Sequence, residues 1–258
     1  QIGSGDGELR RYDVAVPTLR EGIAVAEARE MPAIVHYESA WLGRCQLEVG
    51  NWDEAAKLAT GLIRTDGSEG IGRFVALITL AWVRARRGDP EVAGLVDEAL
   101  EFAQGTRLLQ RLWPVAACRS EIAWMAGRID DELALVAEAS ALAIDLGWAP
   151  AIEELAYWQY VADGETRGVA AHAKTPFGLA AAGHPGLAAA GWAEVGCPYE
   201  EATARMAIGT AAELKAAVNI LEGLGADPMR KRAIGMMRDA GITVPRGPTA
   251  SSRQTRMT

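Results

Sequence analysis

Residues 50–55 read Gly-Asn-Trp-Asp-Glu-Ala, a glycine followed by an aromatic residue, two acids and a small residue. Glycine-led turns recur at Gly88, Gly127 and Gly164, so that successive turns lie 38, 39 and 37 residues apart. A period in this range is typical of arrays in which each repeat is a pair of helices. The spacing therefore predicts a stacked helical array, with any binding surface shared among several repeats.

The sequence between the turns is rich in Ala, Leu and Glu and has no runs of β-branched residues, which favours helices throughout. A first helix is predicted over 12–29, where apolar residues follow helical spacing. The predicted helix pairs are 33–49 with 53–65, 71–87 with 90–104, 108–126 with 130–146, and 150–163 with 166–174. Beyond residue 174 the period loosens, and the predicted helices are 185–195, 199–208, 211–224 and 228–240.

Three segments differ in composition. Residues 1–11 are Gly-rich and polar, which predicts a flexible N-terminal segment. Residues 12–244 carry the repeats. Residues 245–258 are rich in Pro, Ser, Thr and Arg without hydrophobic periodicity, which predicts a disordered, basic linker. The chain begins with Gln1, and the helix over 12–29 has the character of the second helix of a repeat, so we expect a fragment of a longer protein.

Composition argues against several classes of function. The net charge of −8 is unfavourable for binding to the phosphates of nucleic acids. Cys45, Cys118 and Cys197 are widely spaced and form no ligand motif, which predicts reduced core thiols. No run approaches the roughly 18 apolar residues of a membrane span. We therefore expect a cytoplasmic protein with no catalytic residues, metal or cofactor in this chain and no contact with membranes.

The block Trp41-Leu42-Gly43 followed by residues 50–55 resembles the tetratricopeptide repeat, in which small residues let two helices approach closely. Residues 80–81 and the turn at Gly88 repeat the pattern, whereas Arg119-Ser120 departs from it. The spacing also exceeds the standard 34-residue period. The resemblance implies an all-α fold, a right-handed superhelix of antiparallel helix pairs.

The C-terminal third resembles the segment that precedes the helix-turn-helix in large, MalT-like bacterial regulators of the LuxR type. Pro176-Phe177, residues 192–200 with Gly-Cys-Pro-Tyr-Glu, residues 221–226 and residues 241–248 with Pro-Arg-Gly-Pro carry the likeness. The resemblance implies effector or protein sensing by the repeats. The family's ATP hydrolysis and DNA binding attach to no residue here, because neither a P-loop motif nor the helix-turn-helix is present in this sequence.

Aligning the repeats on their glycines predicts which side chains face the inner groove of such an array. The candidate ligand- or peptide-binding residues are Tyr37, Arg44, Trp82, Arg86, Glu121, Trp124 and Trp158. Arginines are hard to bury, so Arg44 and Arg86 are expected to mark the groove. The alternative is that the tryptophans fill gaps between repeats as core residues.

These observations leave three classes of function. The first is an effector-sensing or protein-interaction domain of a LuxR-type regulator, which would bind a small-molecule effector or a protein or peptide partner and reach DNA only through parts outside this chain. The second is a stand-alone tetratricopeptide adaptor that binds peptides. The third, an α-helical enzyme, has no residue constellation in its favour. The sequence leaves self-association open.

Overall fold

A computed structural model describes residues 2–65, 70–165 and 173–244, and within these ranges the chain is all-helical. The helices of the repeat region and the segment before it are α1 (Ile2–Glu8), α2 (Tyr12–Ala28), α3 (Pro32–Glu48), α4 (Trp52–Arg64), α5 (Ile71–Arg87), α6 (Ala93–Thr106), α7 (Leu109–Met125), α8 (Leu133–Asp145) and α9 (Ala149–Asp163). A short 3-10 helix, Ile129–Glu132, precedes α8. The helices that follow are α10 (Pro176–Ala181), α11 (Pro185–Val195), α12 (Pro198–Ile208), α13 (Ala211–Leu224) and α14 (Asp227–Asp239).

The predicted helices are confirmed to within three residues at each end wherever the structure describes them. The ranges 71–87, 185–195 and 211–224 coincide with α5, α11 and α13. The predicted helix over 166–174 falls mostly on residues 166–172, outside the described residues, and 173–174 are not helical. The linker predicted over 245–258 also lies outside the described residues.

The four glycines that define the period share one backbone conformation. Gly50, Gly88, Gly127 and Gly164 have φ of +85°, +81°, +71° and +74°. This left-handed conformation ends a helix at little cost for glycine and is strained for other residues. The recurrence in the sequence therefore reflects a repeated helix stop.

The first helices of successive pairs pack on one another, α3 on α5, α5 on α7 and α7 on α9. The second helix α4 packs on both α3 and α5. Of the 17 residues of α5, 13 are buried, which places this helix at the centre of the core.

The C-terminal helices fold back onto the first two helix pairs. Helix α14 packs on α5, and the rings of Trp52 and Tyr199 lie 5.8 Å apart. A Cβ atom built on Gly50 would lie 2.9 Å from Leu224 Cδ2 and 3.0 Å from Pro198 Cγ. The turn after α3 thus serves as a docking point for α12 and α13, and only a residue without a side chain fits there.

Residues 2–8 of the segment that the sequence predicts to be flexible form the helix α1. Ser4 and Asp6 are each 5% exposed, and a Cβ atom on Gly3 would lie 2.8 Å from Leu19 Cγ. Glycine has a poor helix propensity, but helices in proteins are stabilised mainly by tertiary packing. Here the missing side chains allow α1 to approach α2 and α3 closely.

The three cysteines are free and buried, as predicted: Cys45, Cys118 and Cys197. Burial raises the pKa of each thiol above its usual value, and that of Cys45 to about 12. In the described ranges, no helix combines the length and the apolar character needed to cross a bilayer.

Candidate ligand-binding cavity

A cavity of about 600 Å³ lies between α1, α3, α5 and α7. The first helices of three successive pairs supply its floor, and Glu154 of α9 reaches its edge. Cavities of this size accommodate small organic molecules. The four helices therefore border a space large enough for a small ligand, on the face that joins α3, α5 and α7.

The cavity walls are rich in aromatic side chains, which are Tyr12, Tyr37, Trp41, Phe74, Trp82 and Trp113. Helical periodicity places them there. Tyr37, Trp41 and Arg44 follow one another at spacings of four and three residues, so they share one face of α3. On α5, Val75, Ile78 and Trp82 are likewise spaced three and four residues apart and share one face. These faces of α3 and α5 line the cavity.

Helix α1 forms a wall of the cavity through Ser4, Gly5, Gly7 and Glu8. The Tyr37 hydroxyl donates to Ser4 Oγ at 3.0 Å, which joins α3 to α1. A Cβ atom on Gly7 would lie 2.9 Å from Cys45 Sγ, whereas one on Gly5 would meet no atom within 4 Å. Gly7 thus permits close packing, and Gly5 borders open space.

Arg10, just after α1, ties the N-terminal segment to α9. Its Nη2 donates to Glu154 Oε2 at 2.6 Å, and its guanidinium lies 5.0 Å from the centre of the Phe177 ring. Trp113 Nε1 donates to the same carboxylate oxygen at 3.0 Å. Glu154 is therefore already engaged by two donors at the edge of the cavity.

Arg44 is half-buried and stacks on the Trp82 ring, with its guanidinium carbon 3.9 Å from the ring centre. It also forms an ion pair with Glu48, one turn further along α3. Cation–π stacking and the ion pair together hold Arg44 in one orientation against the cavity wall. Its charge is thus compensated within the protein.

Two hydrogen-bond donors of the cavity lining have no partner among the described residues. They are Nε of Arg111, on α7, and Nε1 of Trp41, on α3, and both atoms are buried. No acidic side chain forms an ion pair with Arg111 within the described ranges; its guanidinium lies 5.9 Å from the centre of the Phe102 ring. A buried donor without an acceptor costs free energy, about 1–3 kcal/mol.

Beside the cavity lies a buried ionic cluster. Arg86 Nε donates to Glu121 Oε1 at 2.8 Å, and Arg86 Nη2 donates to Glu121 Oε2 at 3.0 Å and to Glu200 Oε1 at 2.7 Å. Trp82 Nε1 donates to Glu121 Oε2 at 2.9 Å. The cluster joins α5 and α7 to α12. The cleft around it measures about 20 Å³, which is room for a water molecule but not for a ligand.

Glu200 of this cluster and the neighbouring Glu48 have pKa values that are shifted in opposite directions. Burial raises the pKa of Glu200 to about 7, against the opposing effect of Arg86. Burial acts on Glu48 in the same direction, but the nearby arginines, Arg44 first among them, outweigh it and lower its pKa. Glu200 is therefore the member of the cluster that takes up a proton most readily as the pH falls below about 7.

One group of side chains has metal-ligand spacing. A carboxylate oxygen of Glu48, one of Glu200 and the Cys197 sulfur lie within 4.8 Å of one another. Burial keeps the Cys197 thiol protonated by raising its pKa, and a protonated thiol is a poor ligand. Arg86 already compensates Glu200. The chemistry of this set is thus that of an ion-pair cluster.

The seven predicted groove residues line the cavity, the narrow cleft beside it, or both. Tyr37, Arg44 and Trp82 line the 600 Å³ cavity. All except Tyr37 line the narrow cleft beside it: Arg44, Trp82, Arg86, Glu121, Trp124 and Trp158.

The expectation that Arg86 marks an open groove is wrong, because its side chain is 4% exposed and paired with two carboxylates. Trp82 and Trp158 are 3% and 4% exposed, so both pack as core residues. Trp124 is half-buried, with its ring 6.2 Å from that of Trp158 and 4.6 Å from the Arg232 guanidinium.

Sequence reasoning missed several residues of the cavity. Trp41 could have been predicted, because it lies four residues after Tyr37 on the same helical face. Trp113 and Arg111 occupy the N-terminal half of α7, whereas the repeat alignment selected positions in its C-terminal half. No local sequence pattern indicates that Arg10 lines the cavity, since its partner Glu154 is 144 residues away along the chain.

Comparison with protein-family models, with curated proteins and with solved structures gives no match for this chain.

Proposed function

We propose that the chain is the effector-sensing, helical-repeat domain of a LuxR-type transcriptional regulator, not itself an enzyme, with the ATPase and DNA-binding parts lying outside it. In this proposal the helix pairs are antiparallel and wind into a right-handed superhelix. The packing of α3 on α5, α5 on α7 and α7 on α9 supports that arrangement. The resemblance of residues 176–248 to the segment before a helix-turn-helix supports the assignment to a regulator.

The observation that carries the proposal is the aromatic-walled cavity on the face of α3, α5 and α7. A preformed concave space with few polar groups is typical of small-molecule sites. The buried ion pairs join α12 to α5 beside this space, through Arg86 and Glu200. A ligand that changes the spacing of α5 and α7 would thus act on the C-terminal helices that lead toward the linker.

A stand-alone adaptor for peptides is the second candidate, and the position of α1 favours the first. Helix α1 packs on α3 and forms a wall on one side of the space, which shortens the open length of the groove there. A compact effector fits a space bounded on that side better than an extended peptide does. A reading frame that continues past Thr258 into a helix-turn-helix, with a P-loop upstream, would support the regulator.

A thermal-shift screen tests the proposal, because a ligand that binds only the folded protein raises its apparent stability. Metabolites and peptides would be screened against the wild type and against Gly5→Leu, in which a leucine side chain projects into open space at the cavity wall. We expect small molecules that raise the melting temperature of the wild type only. Hits that stabilise both proteins equally, or peptide hits alone, would contradict the proposal.

A further inference from the structure

We infer that the cavity takes a small organic anion, a carboxylate carried on an aromatic or apolar body. This inference rests on the proposed function, since it names the class of ligand that the cavity binds. It follows from three features of the lining, which are one uncompensated cation, two unsatisfied buried donors and the aromatic walls.

The charges of the lining leave one cation free. The lining contains three arginines, Arg10, Arg44 and Arg111, and two glutamates, Glu8 and Glu154. Arg10 is paired with Glu154, and Arg44 is paired with Glu48 below the surface of the cavity. Within the described ranges no carboxylate pairs with Arg111, which leaves its charge to a ligand.

The unsatisfied donors call for a ligand that accepts hydrogen bonds. Arg111 and Trp41 enter the cavity from α7 and α3, and the buried nitrogen of each lacks an acceptor. Neither side chain can accept a hydrogen bond through these atoms. A carboxylate is an acceptor on both oxygens, and guanidinium–carboxylate hydrogen bonds are among the strongest in proteins.

Among the described residues, the carboxyl of the lining that forms no ion pair is that of Glu8. Burial raises the pKa of Glu8, because its charged form loses hydration there. A carboxyl that takes up a proton more readily competes less with a ligand for Arg111. Aromatic rings make up much of the remaining lining, and Trp41, Phe74 and Trp113 offer ring faces for an aromatic body.

Matched pairs of probes test the ligand class. Isothermal titration calorimetry would compare phenylacetate, 1-naphthaleneacetate and 9-anthracenecarboxylate with their primary amides, which keep the shape and lose the charge. We expect at least one carboxylate to bind the wild type about tenfold or more tightly than its amide, as a charge-assisted hydrogen bond allows. In Arg111→Gln the two members of that pair should bind with similar affinity.

Two further variants separate the possible failures. Arg238→Gln removes one positive charge from an exposed position of α14 that does not line the cavity, so the preference for the carboxylate should persist. Gly5→Leu should abolish binding of both probes. Equal binding of acid and amide, or no binding of any carboxylate, would overturn the anion inference. Binding that is unchanged in Gly5→Leu would instead overturn the proposed cavity site.

Discussion

Arg86 of α5 and Glu121 of α7 form a two-point ion pair in the interior, with nitrogen–oxygen distances of 2.8 and 3.0 Å. Their side chains are 4% and 5% exposed. A buried pair of this kind is costly to break, because removal of one partner leaves an uncompensated charge. The pair therefore fixes the spacing of α5 and α7, two of the three helices that form the floor of the cavity.

Truncating one member of this pair should destabilise the protein strongly. We expect Glu121→Ala to lower the free energy of unfolding by about 3–5 kcal/mol in urea denaturation, because the buried Arg86 loses its two-point partner and keeps only Glu200. Asp131→Ala, which removes an exposed ion pair with Arg128, should change it by less than about 1 kcal/mol. The double variant Arg86→Met, Glu121→Ala should lose less than the two single losses combined; strict additivity would argue against the pairing.

Stability should depend on pH through Glu200. Its pKa in the folded protein is raised to about 7, so the folded state holds a proton that the unfolded state releases at lower pH. This group therefore stabilises the fold in acid, and its contribution is lost as the pH rises through about 7. In the wild type the free energy of unfolding should fall as the pH rises from about 5 to about 8. In Glu200→Gln this fall should be smaller, by on the order of 1–3 kcal/mol. An unchanged slope in the variant would contradict the raised pKa.

Two glycines of α1 should respond oppositely to alanine. At Gly7 the new methyl group would lie 2.9 Å from Cys45 Sγ, so we expect a loss of about 1–3 kcal/mol in unfolding free energy. At Gly5 the methyl group meets nothing within 4 Å, and the gain in helix propensity should stabilise by up to about 1 kcal/mol. Chemical denaturation of both variants measures the difference. Equal effects would show that α1 does not pack on α3 in this way.

The docking of the C-terminal helices can be tested in the same manner at two turns. Gly50→Ala and Gly127→Ala share the backbone strain of a left-handed conformation, at φ of +85° and +71°. Only Gly50 faces Leu224 and Pro198 at close range. Gly50→Ala should therefore cost about 1–3 kcal/mol more than Gly127→Ala in unfolding free energy. A matching cost at both turns would place α12 and α13 away from the turn after α3.

Helix positions were predictable from the sequence because their signals are local. Apolar spacing marks the helices, and the left-handed glycines at Gly50, Gly88, Gly127 and Gly164 mark the ends of α3, α5, α7 and α9, without reference to distant residues. Helix α1 was not predictable, since Ile-Gly-Ser-Gly-Asp-Gly-Glu has neither apolar periodicity nor helix propensity. Its stability comes from contacts with Leu19 and Cys45, which only the folded chain brings to it.

The cavity could be predicted only in part for the same reason. Tyr37, Arg44 and Trp82, which helical phase selects as groove residues, lie on its wall. The burial of Arg86 depends on Glu200, 114 residues further along the chain, and no periodicity relates the two. The wall that α1 forms likewise depends on a long-range contact.

The most direct test of the proposed ligand site is a comparison of affinities at one wall position. The tightest small-molecule hit from the thermal-shift screen would be titrated by calorimetry into the wild type, Gly5→Ala and Gly5→Leu, with circular dichroism to confirm that all three are folded. The proposed site predicts binding to the wild type and Gly5→Ala, and a loss of at least roughly 100-fold in Gly5→Leu, because the variant adds a bulky side chain at a residue of the cavity lining. The same Kd in all three proteins would contradict it.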